Sequence, residues 1–303
     1  MVSVNPEASL KWACSQYVKP SSESHKGQNG RLLVIGGSHI FHSASLWSAE
    51  IASHFVDLVH YSSTAENLDV FTMLKSKFTN GIIVPKEKLL EYMDEDDCIL
   101  IGPGMERGDI SPELMQKTLT FPEIVQLTNE ADYTYALIRY LLQTYPDKKY
   151  VLDAAALQVS NPNWFRHLKT KPIVTPHMKE FSKLFGIHLE DIQEQELQEK
   201  LTEIALKYSC IILLKHITDY VSDGTETITI VGGNAGLTKG GTGDALAGLT
   251  AALNTKLDQV SSCILASYLV KSTAEKLYDQ TGLNYNTSDL IASIPACTKG
   301  LLY

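Results

Sequence analysis

The chain alternates short, unbroken apolar runs with longer stretches in which apolar residues recur every three or four positions. A short apolar run bounded by turn formers reads as a strand buried on both faces, whereas the longer repeat reads as a helix with one face in the core. The first clear run is Arg31 to Ile35, stopped by Gly36, Gly37 and Ser38. Ala44, Leu46, Trp47, Ala49, Ile51 and Ala52 then predict a helix and Leu58 to Tyr61 a second strand, an order that implies a parallel sheet. Further strands are predicted at Gly81 to Val84, Cys98 to Ile101, Tyr150 to Leu152, Ile173 to Val174 and Ile211 to Leu214. Amphipathic helical stretches separate most of them, which gives a doubly wound α/β layout with helices on both faces of the sheet.

Two further runs, Asp219 to Val221 and Thr227 to Val231, flank the turn pair Asp223-Gly224 and predict an antiparallel hairpin on the sheet near residues 219 to 231. The remaining third reads as helix at Ala245 to Leu253, Cys263 to Tyr278 and Ser288 to Cys297. Glu190 to Lys207 is heavily charged, yet Ile192, Leu197, Leu201, Ile204 and Ala205 fall on one stripe, so it reads as a solvated helix. The first twenty residues form a polar opening with no apolar signal core. With no internal repeat, low-complexity tract or Pro/Ser-rich linker, residues 1–303 are expected to form a single domain.

Composition narrows the function classes. A net charge of -9 repels a phosphate backbone, so nucleic acid is not an expected partner, and a phosphorylated ligand would need local backbone N–H groups. No segment reaches the length of a spanning helix, so no membrane is expected. The five cysteines are scattered with no CxxC pair, which argues against a disulfide framework or a zinc site and fits a cytoplasmic location.

The most informative stretch is Asn234 to Gly248, in which Gly240-Gly241-Thr242-Gly243-Asp244 runs directly into a helix. Successive N–H groups at Gly241, Thr242 and Gly243, at the positive end of a helix dipole, suit a phosphoryl group in transfer. Asp244 beside them suits a general base that takes the proton of an attacking hydroxyl. The plainer alternative is a tight turn with Asp244 merely starting a helix, and on this string alone the two readings stand level. Ile101-Gly102-Pro103-Gly104 and Val174-Thr175-Pro176-His177 also follow buried strands and would bring their loops to the same sheet edge. His177 after a Thr-Pro turn is open to a capping role, Lys215 to a snorkelling edge role, and Asp153 to either a helix cap or a ligand contact.

The ordered set HKGQNGRLLVIGGS, ILIGPG, VLDAAAL, IVTPHMKEF, IILLKH and LTKGGTGDALAG resembles the NAD(P)H-hydrate dehydratase family from about residue 25 to residue 255. The GGTGD turn is shared across ribokinase-like kinases, whereas the combination of VIGGS, GPG, LDA and TPHxxEF is more specific. The resemblance implies a ribokinase-like fold and dehydration of hydrated NADH or NADPH, driven by ATP or ADP, and Mg²⁺ is expected because phosphates need charge compensation during transfer. It implies Asp244 as base and Gly241, Thr242 and Gly243 as the anion hole. Ala44, Gly102, Gly104, Thr175, His177, Glu180 and Asp244 would contact the hydrated cofactor. Lys215, His216, Ile217, Thr218, Asp219, Asn234, Lys239, Gly240 and Gly243 would contact the nucleotide. A separate NAD(P)H-hydrate epimerase is an expected functional link, since the residues before His25 are too few to form one, and a homo-oligomer stays open.

Several positions depart from the family pattern. Lys215-His216 stands where Lys-Gly is common, Ala155 replaces the second acid of the Leu-Asp-Ala-Asp-Ala-Leu run, Ser43 replaces a glycine, Ala235 a proline and Lys239 a small residue. Lys239 is a candidate phosphate contact and His216 a candidate stack for a base. Two other readings therefore stand beside the dehydratase. One is a ribokinase-like kinase of a small alcohol such as a vitamin precursor, and the other an inactive homologue that only binds.

Overall fold

Each apolar run predicted as a strand takes its place in one twisted sheet. The computed structural model describes residues 6–76, 79–189 and 192–303. Among these, nine strands form the sheet: β1 (Arg31–Ile35), β2 (Leu58–Ser62), β3 (Gly81–Ile83), β4 (Cys98–Ile101), β5 (Lys149–Leu152), β6 (Ile173–Val174), β7 (Ile211–Leu214), β8 (Asp219–Ser222) and β9 (Thr227–Ile230). Their spatial order is β3-β2-β1-β4-β5-β6-β7-β8-β9. Every pairing from β3 through β7 is parallel, and β8 and β9 close the edge antiparallel as the hairpin predicted at the Asp223-Gly224 turn.

The runs are apolar throughout because each face of the sheet meets its own core. Leu32, Val34, Leu100, Val151 and Leu213 belong to one cluster, and their neighbours Leu33, Ile35, Ile101, Leu152 and Leu214 to the other. Burying a side chain of this size contributes about 1.5–3 kcal/mol, so polar residues are held off until the strands end. Helices Ser43–Ala52, Thr242–Asn254, Gln259–Thr281 and Thr287–Leu302 cover the first face, and Glu130–Thr144, Met178–Phe185 and Glu194–Tyr208 the second.

Two segments differ from their sequence reading. The polar opening contains a helix, Pro6–Gln16, which buries Ala13 and packs against Gln259–Thr281, so its structure comes from tertiary contact rather than from a strong stripe of its own. The charged segment is a helix over Glu194–Tyr208 with Leu197, Leu201, Ile204 and Ala205 buried, while Glu190 and Asp191 lie outside the described residues. No helix among the described residues is long and apolar enough to cross a membrane.

Candidate active site

β1 lies between β2 and β4 and is parallel to both, so the chain leaves its carboxyl end towards one side of the sheet and returns to the other. A crevice forms where loops part in this way. Here Gly36 and Gly37 after β1 pack directly against Gly102 to Gly104 after β4. The loops clasp each other through Gly37 N–H to the Pro103 carbonyl, 2.8 Å, and Gly102 N–H to the Ile35 carbonyl, 3.1 Å. Gly102 holds φ +120°, and a Cβ there would run into the Asp153 carbonyl, so only glycine fits. Ala44 sits beside Gly104, which brings two of the predicted substrate contacts together with Gly102 nearby.

Helix Thr242–Asn254 opens with Gly241 at its cap position, φ +96°, and no side chain capping it. A Cβ on Gly241 would strike the Trp47 ring, which makes glycine obligatory here as well. Thr242 Oγ1 donates to the carbonyls of Leu237, 2.7 Å, and Lys239, 2.9 Å, and so pins the turn. The Thr242 N–H donates to the Lys239 carbonyl at 3.4 Å, and the other N–H groups at the positive end of a helix form an anion site. The helix is also fixed laterally, because Ser48 Oγ donates to the Asp244 carbonyl, 2.9 Å, and Gly248 packs on the Ser48 backbone.

Just past β5, β6 and β7, polar residues appear and converge on this helix end. Asp153 Oδ1 accepts from Lys215 Nζ, 2.7 Å, and from Thr175 Oγ1, 2.7 Å. Lys215 Nζ lies 4.0 Å from Glu180 Oε2 and close to Gly243. Asp153 therefore does not cap the next helix, whose cap residue is Ala154 in the strained backbone region at φ +47°. Lys215 is turned inward rather than snorkelling, with a side chain only 18% exposed.

The charges set one another's ionisation. Burial pushes the Asp244 carboxyl up to about 7, reinforced by Asp153 and Glu180 and opposed by Lys215. Burial alone would lower the Lys215 ammonium, but Asp153, Glu180 and Asp244 outweigh it and hold the pKa above its usual value. His177 takes the capping role: its Nδ1 accepts from the N–H groups of Lys179 and Glu180, and Glu180 Oε2 accepts from the His177 N–H. With Nδ1 accepting, the ring proton sits on Nε2, 3.6 Å from Glu180 Oε2.

A cavity of about 560 Å³ opens beside Lys215 and is walled by the β7–β8 loop, the Gly232 to Thr238 segment and helices Thr242–Asn254 and Gln259–Thr281. Of the residues predicted on the nucleotide side, Lys215, His216, Ile217, Asp219, Asn234 and Gly243 line it. Thr218, Lys239 and Gly240 do not line it. The Lys239 ammonium is directed elsewhere and donates to the carbonyls of Leu283 and Tyr285. The Gly240 carbonyl accepts from Thr287 Oγ1, 2.8 Å. Asp219 and Asn234 face the cavity but spend their side chains on the protein. Asp219 accepts from the His216 N–H and from Ser267, while Asn234 caps the turn Ala235–Thr238 and accepts from the Tyr285 hydroxyl.

Sequence reasoning missed Lys271, whose ammonium lines the cavity and pairs with Asp219 at 3.5 Å. Its signal was a lysine at a position the helical repeat reserves for apolar residues. Among the described residues, the group of three metal-capable side chains with converging ligand atoms is His39 after β1, Glu106 after β4 and Glu130 at the start of helix Glu130–Thr144, and none of them lines this cavity. Ala155, where a second acid was expected, is 1% exposed inside the core.

Residues 32–296 match the family model described as NAD(P)H-hydrate dehydratase. The chain is 31% identical over 284 residues to the bifunctional NAD(P)H-hydrate repair enzyme of Methanocaldococcus jannaschii, a match that takes in 93% of this chain and 50% of that protein. It spans about half the length of such bifunctional relatives. It is 30% identical over 292 residues to the ADP-dependent (S)-NAD(P)H-hydrate dehydratase of Nitrosopumilus maritimus, covering 92% of this chain and 91% of that one. Among solved structures, the Bacillus subtilis ADP/ATP-dependent NAD(P)H-hydrate dehydratase co-crystallized with ATP/Mg²⁺ superposes with a TM-score of 0.78 at 20% identity, covering 96% of this chain and 97% of that one. A ribokinase-like superfamily protein of Enterococcus faecalis gives 0.75, also at 20% identity, over 96% of this chain and 94% of that one. The fold is ribokinase-like.

Proposed function

Because the chain belongs to the NAD(P)H-hydrate dehydratase family, we propose that it removes water from hydrated NADH or NADPH at the expense of ATP or ADP. Hydroxide is a poor leaving group, and phosphorylation makes it a good one. Asp244 takes the proton of the ring hydroxyl as its oxygen attacks the terminal phosphorus and the bond to the departing nucleotide breaks. The N–H groups of Gly241 to Gly243 carry the charge of the phosphoryl group in transfer. Phosphate then leaves one ring carbon and a proton leaves its neighbour, which restores the reduced nicotinamide.

The observation that carries this reading is a half-buried carboxyl poised near neutrality, beside a helix N-terminus with no side-chain cap that opens onto a cavity of nucleotide size. The nucleotide would occupy the cavity beside Lys215 and His216, and the hydrated ring the crevice between Ala44, Gly102, Gly104 and the Thr175 to Glu180 segment. Mg²⁺ would be held mainly by the nucleotide phosphates and water, since no three metal-capable side chains converge there among the described residues. Residues 1–303 would act as one cytoplasmic domain, working on substrate that an epimerase interconverts. Incubation with hydrated NADH plus ATP, or plus ADP, tests the reading. Recovery of NADH with release of free phosphate is expected, whereas a stable phosphorylated alcohol would assign a kinase instead.

A further inference from the structure

Asp153 is the most deeply buried member of the charge cluster, with a side chain 2% exposed, and nothing assigned so far to the reaction uses it. Its surroundings are built around it. Thr175 fixes one carboxylate oxygen, the Asp153 carbonyl is packed against Gly102, and Ala154 holds a costly backbone conformation directly after it. Strain of this kind, about 1–3 kcal/mol, persists where the surroundings dictate a particular aim. The aim here is Lys215, 62 residues away in sequence, whose ammonium sits beside Gly243 and lines the cavity.

We propose that Asp153 is a positioning residue of this reaction: its buried carboxylate holds the Lys215 ammonium at the glycine turn, where the lysine meets the phosphate in transfer. The inference rests on the dehydratase reading above. Lys215 keeps further N–H donors for a ligand, because a lysine has three and Asp153 takes one. Asp153, Lys215 and Glu180 are also the charges that face Asp244, from the ends of β5 and β7 and from helix Met178–Phe185, with His177 beside Glu180. Removing Asp153 takes away a negative neighbour and leaves Lys215 less neutralised, so Asp244 ionises more easily. Removing Lys215 does the opposite.

The test is a double-mutant cycle on Asp153→Asn and Lys215→Met, read by kcat, by affinity for ADP with Mg²⁺, and by pH profile. Asp153→Asn is expected to weaken ADP binding about tenfold and to lower kcat, yet to add less than about threefold when Lys215 is already Met, because the two act as a unit. The acid limb of the profile moves to lower pH in Asp153→Asn and to higher pH in Lys215→Met. Asp153→Glu keeps the charge and recovers part of both losses, and Asp153→Ser, which also removes the charge, replaces Asp153→Asn in the cycle if that variant fails to fold. Additive losses, or an acid limb that moves the same way in both variants, would overturn the proposal. A wild-type chain with no turnover of hydrated NADH would sink the dehydratase reading alone, and the ADP affinities would then decide Asp153 by themselves.

Discussion

Two lysines that line the same cavity pair with buried aspartates and are satisfied in different ways. Lys271 donates to the carbonyl of Ile217, 2.7 Å, reaches the Gly232 carbonyl at 3.4 Å and pairs with Asp219, which also accepts from Ser267 and from the His216 N–H. That pair ties the β7–β8 loop and the segment after β9 to helix Gln259–Thr281, and its polar atoms are spent on the protein. Lys215, by contrast, donates a single hydrogen bond among the described residues, to Asp153, and its remaining donors look towards Glu180 and the cavity. A saturated buried pair holds a wall in place, whereas an unsaturated one at a cavity mouth is prepared for a ligand.

The largest expected effect lies on the reactive side. Asp244→Asn removes the base without removing volume and is expected to lower kcat by about 10³-fold, as loss of general-base catalysis does, with ADP affinity largely retained. Steady-state kinetics and calorimetry on the same preparation check this, and near-parental turnover would refute the role.

The second expectation sharpens the contrast between the pairs. Lys271→Met strands a buried carboxylate and breaks the loop anchors, so stability is expected to fall by about 3 kcal/mol, measured by denaturant unfolding. Lys215→Met strands Asp153, which keeps its bond from Thr175, and is expected to cost a comparable amount, about 3 kcal/mol, with turnover falling further than in Lys271→Met. Equal losses of turnover would erase the distinction.

A third expectation concerns pH. The folded-state pKa of Asp244 is raised, so the carboxyl's effect on stability is favourable below its unfolded value near 3.8 and is lost as pH rises through about 7. Asp244→Asn should therefore melt higher than the parent at pH 8 and alike at pH 4, checked by thermal scans at both. The smallest expected effect is at His216, where a glycine is common in the family. His216→Gly should change ADP affinity by up to about tenfold and hydrate affinity less, compared by titration of each ligand.

The strands were legible because a parallel sheet buried on both faces writes itself as continuous apolar runs. Cys98–Ile101, Ile173–Val174 and Ile211–Leu214 end where the runs end. The glycine turn was legible too, since Gly241 meets both a positive φ and the Trp47 ring. What the sequence left open is where flexible cations point. Lys239 beside the turn swings to the Leu283 and Tyr285 carbonyls, while Lys215 and Lys271 reach the cavity from distant parts of the chain. Asp153 stood level between cap and ligand because its partner is set by the pairing of β5, β6 and β7, which only the folded sheet brings together. The opening helix Pro6–Gln16 was hidden for a related reason, as its order depends on a surface supplied by Gln259–Thr281.

The central claim is that a carboxyl with a raised pKa at the mouth of helix Thr242–Asn254 serves as the base. The pH dependence of kcat/KM for hydrated NADH tests it most directly, because it reports ionisation of the free enzyme. The rate should climb through a single ionisation near 7 and level off above it. A profile that stays flat across the neutral range would contradict the account.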